Sequence, residues 1–354
     1  MRKNTLSYQP MPIPTFPVLK NSTYLNTAYV GPLSQELFDF RRAEEEKYLA
    51  WGNEYKVDAY NTLDETHRVL ALFFGLPSHH CFVVSNFSSG IRYIMPLLPK
   101  TSKVLYVNED YPSLLNSFQS QGLNTKGIPL TETIEQDLEK ELSKTQYDVL
   151  ILSIVHYTSG ILIDTDYLNQ LKENYPNLLL IADGTQFLGA HSFQFNQSPF
   201  DVVVASGYKW LLAGFGNGVL MVSEAFLSKV NIQSSDLKEI IFQGHFNLLA
   251  TSSLKFAVEQ LVTLNFEELL NKKKKLSGYA KEALLESNYL DQRVNKRKEH
   301  SSIFLLNGST SLYQHLMKSN ISCVQRSTGV RVSFHYYNTT EEVDILCKAL
   351  KAFK

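Results

Sequence analysis

The feature that most constrains the fold is a series of short, continuous apolar runs separated by helical stretches. The runs lie between residues 60 and 230, at positions 81–84, 104–107, 149–152, 178–181, 202–204 and 219–222. Because the apolar residues are continuous rather than alternating, the runs are typical of strands buried on both faces. Helical patterns, among them 113–121 and 165–174, lie between several of them. Strands that alternate with helices predict an α/β fold with a mostly parallel central sheet.

The pattern divides the 354 residues into three parts. Residues 1–22 are rich in proline and predict an irregular N-terminal arm. Residues 23–235 contain the alternating runs and are predicted to form a large α/β domain. Residues 236–354 predict a smaller α+β domain. Its predicted elements are a long helix over 248–286, strands over 302–305 and 330–334, and a final helix over 340–351.

Two further helices are predicted from capping signals before the first apolar run. Ser34 is an N-cap residue and predicts a helix that continues to about Ala50. Residues 62–65, Thr-Leu-Asp-Glu, have the sequence of a capping box, and Gly75 is a typical residue after a helix end. We therefore expect the second helix to cover residues 63–74.

Composition and charge narrow the class of protein. The chain has 34 basic and 35 acidic residues, a net charge of -1, and this balance gives no reason to expect a nucleic-acid or membrane partner. Its cysteines, Cys81, Cys323 and Cys347, have no CxxC spacing, so we expect neither disulfides nor a metal site. The first ten residues lack an apolar signal segment, and no apolar run is long enough to cross a bilayer. A cytoplasmic enzyme or binding protein is the expectation.

Polar and small residues follow five of the apolar runs, at positions 85–90, 108–112, 156–160, 182–186 and 206–209. In open α/β sheets ligands bind outside the carboxyl ends of the strands, so we expect these five clusters to meet at one edge of the sheet. They contribute an amine at Lys209, a carboxylate at Asp183 and an aromatic ring at Tyr111. Ser88 and Ser89 open a helix, whose free N–H groups and dipole favour an anion.

Together these groups suit pyridoxal phosphate. A lysine held in a cleft forms a Schiff base with the cofactor aldehyde, and a carboxylate beside the pyridine nitrogen keeps it protonated. Each residue alone also has a structural explanation: Asp183 as a turn former, the two serines as an N-cap, Tyr111 as a core aromatic, and His156 and His191 as buried core histidines. The glycines between 214 and 218 precede an apolar strand, so they favour a turn between two strands over a dinucleotide site.

Three motifs carry a resemblance to a known family. They are Ala-Asp-Gly-Thr-Gln at 182–186, Ser-Gly-Tyr-Lys at 206–209, and a closing motif with Arg-Val-Ser at 331–333, Tyr-Asn-Thr at 337–339 and Glu-Val-Asp at 342–344. They resemble the class V aminotransferases of fold type I, which include cysteine desulfurases, kynureninases and isopenicillin N epimerase-like proteins. The resemblance runs along most of the chain. It implies a pyridoxal-phosphate enzyme that acts on an amino acid or keto acid, as a homodimer with shared active sites.

The resemblance also implies a role for each matching residue. Lys209 would carry the cofactor, and Asp183 would pair with the pyridine nitrogen. Arg331 would hold the substrate α-carboxylate, which the forked guanidinium suits. The other implied cofactor contacts are Gln186 at the ring hydroxyl; Phe87, Ser88, Ser89 and Ser206 at the phosphate; Tyr111 stacked on the ring; Tyr157, where many relatives carry asparagine; and His245, at the phosphate of the neighbouring subunit.

Departures from the family pattern decide the expected reaction. Tyr208 replaces the histidine common before the lysine, and His245 replaces a threonine. Cysteine desulfurases carry a nucleophilic cysteine on an extended loop, whereas Cys323 lies a few positions before Arg331, in a predicted strand over 321–324. Persulfide chemistry is therefore disfavoured. We predict an aminotransferase first, and a β-lyase or epimerase of the same family as the alternative. A non-catalytic ligand sensor with this fold is the alternative from another class.

Overall fold

The computed structural model describes residues 13–326 and 329–353. The strands are β1 (Thr23–Tyr24), β2 (Cys81–Val84), β3 (Lys103–Val107), β4 (Asn124–Ile128), β5 (Val149–Ser153), β6 (Leu179–Asp183), β7 (Val202–Ser206), β8 (Gly218–Val222), β9 (Ile303–Asn307), β10 (Ile321–Ser322), β11 (Val324–Arg326) and β12 (Gly329–Ser333). The α-helices are α1 (Gln35–Trp51), α2 (Glu54–Val57), α3 (Ala59–Phe74), α4 (Phe87–Ile94), α5 (Pro112–Gln119), α6 (Ile134–Leu142), α7 (Thr165–Asn174), α8 (Glu224–Val230), α9 (Ser234–Ile241), α10 (Leu248–Thr263), α11 (Phe266–Glu286), α12 (Gln292–Asn295), α13 (Thr310–Lys318) and α14 (Thr340–Ala352).

A seven-stranded sheet forms the centre of the molecule, in the order β2-β8-β7-β6-β5-β3-β4. Neighbouring strands from β7 to β4 run parallel, and β8 runs antiparallel to both β7 and β2. The predicted α/β fold with a mostly parallel sheet is confirmed. The turn predicted at 214–218 joins β7 to the antiparallel β8, as its glycines indicated.

The continuous apolar runs are explained by two cores, one on each face of the sheet. Along β5, Leu150 and Leu152 pack into one core, and Val149 and Ile151 pack into the other. Since side chains of a strand alternate between faces, a strand covered on both sides needs apolar residues at every position. Burial of each such side chain contributes roughly 1.5–3 kcal/mol to stability.

One strand of the sheet, β4, was not predicted. Its sequence, Asn-Thr-Lys-Gly-Ile, is largely polar, and only Ile128 is buried. It lies at the edge of the sheet, beside β3, and therefore needs no continuous apolar run. Within the described ranges, no helix has both the length and the apolar character that crossing a membrane requires.

A second, antiparallel sheet has the order β11-β12-β9 and packs with α11, α13 and α14 around a third core. Strand β1 joins this part of the molecule, because it pairs in parallel with β10 and the adjacent Leu25 lies in the third core. Helix α10, conversely, packs against α3. The domain division at residue 235 stays a prediction.

Three predictions for the helices and strands were wrong. The helix over 248–286 is two helices, α10 and α11, separated at Asn265, which has a left-handed φ of 59°; asparagine tolerates this conformation better than most residues. Helix α3 begins at Ala59, so residues 62–65 lie inside it and do not cap it, although Gly75 ends it in the left-handed conformation as expected. Cys323 lies between β10 and β11 rather than inside one strand.

The N-terminal arm is described from residue 13 onward, and its residues 1–12 lie outside the described part. A short 3-10 turn covers Pro17–Lys20. Phe16 is buried, with its ring centre 4.9 Å from that of Tyr337. The backbone of Thr15 accepts a hydrogen bond from Gln35 N–H at 2.8 Å. These contacts join the arm to α1 and to the segment after β12.

Lys273, in α11, is a buried lysine, and its burial should make the stability of the protein depend on pH. Its Nζ donates to the Ser302 hydroxyl at 2.9 Å and lies 5.6 Å from the centre of the Trp210 ring. Burial lowers the pKa of Lys273 to about 7. The unfolded chain, with an ordinary lysine, binds more protons between pH 7 and pH 10.5, so stability rises with pH across this window.

The Lys273→Met variant should therefore be more stable than the wild type near pH 7, by on the order of 1 kcal/mol or more, since it removes a buried charge and keeps an apolar chain. The difference should shrink as the pH approaches 10. Denaturant unfolding of both proteins between pH 7 and pH 10 measures it. A constant difference across this range would contradict the assignment of the pH dependence to Lys273.

Candidate functional site

The five polar clusters meet at one edge of the central sheet, as predicted. Hydrogen bonds join them in a chain: Phe87 N–H donates to Ser206 Oγ at 2.9 Å, and Ser206 N–H donates to Thr185 Oγ1 at 3.1 Å. Ile154 N–H donates to the carbonyl of Asp183 at 3.0 Å. His156 Nε2 lies 2.9 Å from the carbonyl oxygen of Glu109. The carboxyl ends of β2, β3, β5, β6 and β7 thus form one continuous site.

The N-terminus of α4 lies at this edge. Asn86 caps the helix by accepting from Ser89 N–H at 2.9 Å. The Ser88 hydroxyl donates to Ser113 Oγ at 2.9 Å. The helix lies close to β7, since a Cβ on Gly90 would meet Val204 Cγ1 at 2.5 Å. A helix start with several hydroxyls beside it is a suitable site for an anion.

Asp183 is the last residue of β6, and its carboxyl group is buried. Its Oδ1 accepts from Thr185 N–H at 2.7 Å. Burial raises the pKa of Asp183, while the hydrogen bonds from Thr185 and the charge of Lys209 act in the opposite direction. In such a place a cation packed against the carboxyl group would favour its ionised form.

Lys209 follows β7, and its side chain is partly buried. Its Nζ lies 5.7 Å from the centre of the Tyr208 ring. Burial, followed by the charge of Arg331, lowers the pKa of Lys209, so a larger share of neutral amine is present near neutral pH. The lysine backbone is held closely: Gly31 N–H donates to the carbonyl of Tyr208 at 2.9 Å, and a Cβ on Gly31 would meet the Lys209 carbonyl oxygen at 2.2 Å.

Arg331 lies in β12 and is 2% exposed. One guanidinium nitrogen donates to the carbonyl of Tyr157. Its Nε and Nη2 are buried and have no hydrogen-bond partner among the residues described. Burial, with the charge of Arg326, lowers the pKa of Arg331 to about 9. Buried polar groups are rarely left unpaired, and the two free donors of this fork match a carboxylate.

Three aromatic rings line the site. The ring centres of Tyr111 and Tyr157 are 5.6 Å apart, and those of Phe87 and Tyr111 are 5.9 Å apart, both pairs edge to face. Gln186 is buried between other residues: its Nε2 donates to the carbonyl of Ala28 at 2.8 Å, and its Oε1 accepts from Trp210 Nε1 at 2.7 Å. One amide hydrogen of Gln186 remains for the ring hydroxyl, a contact that stays a prediction.

Three histidines have different positions. His156 is buried with both ring nitrogens in hydrogen bonds, to Ser159 and to the backbone of Glu109, so it supports the site structurally. His191 is half-buried, with its ring stacked on that of Phe187 at 4.8 Å between centres, and its structural explanation stays a prediction. His245 is exposed on the loop between α9 and α10. Its contact with a neighbouring subunit stays a prediction.

Sequence reasoning did not single out Asp110, a buried carboxylate in the second cluster. It accepts hydrogen bonds from Ser153 N–H at 2.8 Å, from the Ser153 hydroxyl at 2.5 Å and from Tyr111 N–H at 2.6 Å. These bonds hold Tyr111 at the start of α5. In the sequence, Asp110 follows a buried strand and directly precedes Tyr111 and Pro112, and this position could have indicated a residue of the site.

None of the cysteines, all of which lie in the described part, has the environment of a nucleophile. Burial raises the pKa of Cys323 to about 12 and raises the pKa of the fully buried Cys81 as well. Cys347, on α14, also has a raised pKa because of burial. Reactive cysteines need a lowered pKa and an accessible sulfur.

Comparisons with known proteins identify the family of the chain. The family model for class V aminotransferases matches residues 51–346. A probable cysteine desulfurase of Borreliella burgdorferi is 23% identical over 270 residues, which are 64% of this chain and 62% of that protein. The matched segment is thus less than two thirds of that relative's length.

Two solved structures show the same fold. The cystine C–S lyase C-DES, in complex with its product cysteine persulfide, is 16% identical, with a TM-score of 0.84 over 95% of this chain and 99% of that one. The apo cysteine desulfurase from Thermococcus onnurineus NA1 is 17% identical, with a TM-score of 0.82 over 97% and 98%. With the family model spanning most of the sequence, the chain belongs to the class V aminotransferase family of pyridoxal-phosphate-dependent enzymes.

Proposed function

We propose that this protein is a pyridoxal-phosphate-dependent lyase that removes the α-proton of an amino acid and eliminates its β-substituent. The observation that carries the proposal is the buried Arg331, with two unpaired donors, in the same site as a lysine of lowered pKa. Similar proteins support the lyase branch, because they are named as cysteine desulfurases and as a cystine C–S lyase.

The residues present fit the cofactor. The start of α4, with Ser88 and Ser89, would hold the phosphate together with the Ser206 hydroxyl, which Phe87 N–H positions by donating to Ser206 Oγ at 2.9 Å. Asp183 would pair with the pyridine nitrogen, and Tyr111 would stack on the ring. When bound, the cofactor supplies an electron sink for the substrate Cα.

Side chains of the protein would bind the substrate and transfer its α-proton. Arg331 binds the α-carboxylate and so fixes the direction of the Cα–H bond. The neutral amine of Lys209 accepts the α-proton at Nζ, and the pKa lowered by burial keeps enough of the amine neutral for this role. The rings of Tyr111 and Tyr157, edge to face at 5.6 Å between centres, would help to shield the site from water. For a three-carbon substrate, elimination followed by hydrolysis with one water gives pyruvate, ammonia and the protonated leaving group.

The cysteines decide between two kinds of sulfur chemistry within this proposal. An enzyme that stores sulfur as a persulfide needs an accessible thiolate, and Cys323 is buried with a raised pKa. The leaving group would therefore be released to solution and not passed to a protein thiol.

Transamination, which the sequence favoured first, is the second candidate, and the family to which the chain belongs supports it. It uses Lys209 and Arg331 in the same way up to removal of the α-proton. It differs afterwards, because the proton would return to the cofactor carbon and the β-substituent would stay on the substrate. The proposed assembly for both reactions is a homodimer. The exposed His245 supports it, as do exposed apolar side chains on α1 and α3, among them Leu49, Trp51 and Leu72.

A panel of amino acids separates the two reactions. The holoenzyme is incubated with cysteine, cystine, alanine, aspartate and glutamate, and keto acid, ammonia and thiol are measured with and without an added acceptor keto acid. A lyase produces keto acid and ammonia together over many turnovers without the acceptor. Free cofactor with each amino acid is the control. Formation of one equivalent of keto acid that continues only with the acceptor would contradict the lyase and establish the aminotransferase.

A further inference from the structure

Two arginines lie on the same face of the hairpin formed by β11 and β12. In this antiparallel pair Arg331 is opposite Val324, and Arg326 is opposite Gly329. Residues directly opposite each other share a face, and so do residues two positions apart on one strand. Arg326 and Arg331 are therefore diagonal neighbours on one face, at the distance where long side chains reach a common ligand.

Neither arginine has a carboxylate within ion-pair distance in the described part of the chain. Arg326 lies with its guanidinium carbon 5.2 Å from the centre of the Tyr29 ring, and its Nη1 donates only to the carbonyl of Gln325 at 3.3 Å. Its Nε is buried without a partner, as are Nε and Nη2 of Arg331. The two guanidinium groups thus leave three buried donors unpaired at one wall of the site.

The charge of Arg326 affects the pKa of two residues of the site. It is among the causes that lower the pKa of Arg331 and of Lys209, and in both it acts in addition to burial. Two like charges held together in a partly buried place are unfavourable unless anions compensate them. One substrate carboxylate at Arg331 leaves the second cation without such a partner.

We infer that the substrate is an α-amino acid with a second anionic group on its side chain, which Arg326 binds while Arg331 holds the α-carboxylate. Arg326 then acts as a specificity residue. The inference rests on the proposed function for the α-carboxylate at Arg331. In the lyase reaction the second carboxylate comes from the far half of a disulfide such as cystine, whose β-sulfur can leave. Aspartate and glutamate have no β leaving group and fit only the transamination alternative.

The alternative is that both arginines hold the single α-carboxylate, and the two arrangements respond differently to Arg326→Gln. If Arg326 binds a second group, the variant loses affinity for diacids alone. If it shares the α-carboxylate, the variant loses affinity for every acid to the same extent.

The test measures binding of succinate, glutarate and butyrate to the holoenzyme by calorimetry, which needs no turnover. We expect the wild type to prefer one of the diacids over butyrate by roughly 10- to 100-fold, as for one charge-assisted hydrogen bond. Arg326→Gln should remove this preference and leave butyrate binding unchanged. Arg68→Gln, at an exposed arginine of α3, is the matched control and should behave as the wild type.

Kinetics then identify the source of the second group. With Arg326→Gln, KM should rise for cystine if the enzyme is a lyase, or for aspartate or glutamate if it is an aminotransferase, and it should stay unchanged for cysteine. Equal weakening of butyrate and the diacids, or no diacid preference in the wild type, would overturn the inference. Because binding is measured apart from turnover, a failure of the lyase proposal leaves the diacid preference intact and is recognised separately.

Discussion

Lys209→Ala should reduce turnover by about 10³-fold or more while the protein stays folded. The lysine has two roles in the proposed reaction, as the covalent attachment point of the cofactor and as the base that accepts the α-proton, and either loss alone costs roughly 10²- to 10⁴-fold. Keto-acid formation by the variant measures the loss. Circular dichroism shows whether the fold is retained.

A chemical label makes the same test independent of activity. Borohydride reduction of the holoenzyme, followed by peptide mass analysis, should place the cofactor on the peptide that contains Lys209. Lys273→Met is the matched control, because Lys273 is also a buried lysine whose pKa is lowered to about 7. That variant should keep the label and the activity. A wild type labelled at Lys273, or a Lys209→Ala variant that still carries the reducible cofactor, would refute the assignment.

Asp183→Asn should lower kcat by roughly 10²- to 10⁴-fold, since asparagine has nearly the same shape and no charge to hold a proton on the pyridine nitrogen. The same change should stabilise the protein without cofactor. Burial raises the pKa of Asp183 in the folded state. The folded protein therefore binds the carboxyl proton more tightly than the unfolded chain, and stability falls as the pH rises from the ordinary aspartate pKa toward neutrality.

Lower activity combined with higher stability at pH 7 separates a functional loss from a folding defect. Thermal unfolding of the cofactor-free proteins and kcat of the holoenzymes measure the two effects. Asp201→Asn is the control, because Asp201 is a buried carboxylate at the opposite end of β7, bound by Lys172 at 2.6 Å. It should lose stability and keep kcat near the wild-type value. An Asp183→Asn enzyme with kcat within about tenfold of the wild type would contradict the role of Asp183.

The central sheet and the meeting of five polar clusters could be predicted from the sequence for a physical reason. Strands covered on both faces require continuous apolar residues, and parallel strands place the segments after their carboxyl ends at one edge of the sheet. Strand β4 was missed because an edge strand has no such requirement. The break at Asn265 was missed because no glycine or proline lies near it, and the left-handed conformation of one asparagine decides the geometry.

Arg326 shows a different limit of sequence reasoning. Its relation to Arg331 depends on the register of a hairpin, and a shift of one residue would direct it to the opposite face. Asp110 is similar, because its importance comes from hydrogen bonds to Ser153, which is distant in sequence. Pairings between distant segments set both positions, and no local pattern reports them.

The pairing of β1 with β10 bears on when the site is completed during synthesis. Leu25 accepts a hydrogen bond from Ser333 N–H at 2.9 Å, and Ala28 N–H donates to Ser333 Oγ at 3.0 Å. Strand β1 thus pairs with β10, which is far from it in sequence, and closing such long loops is slow. A nascent chain already has the segment that contains Lys209 before the hairpin with Arg331 exists. During synthesis Lys209 is therefore made first, and the hairpin of β11 and β12 that carries Arg331 follows it.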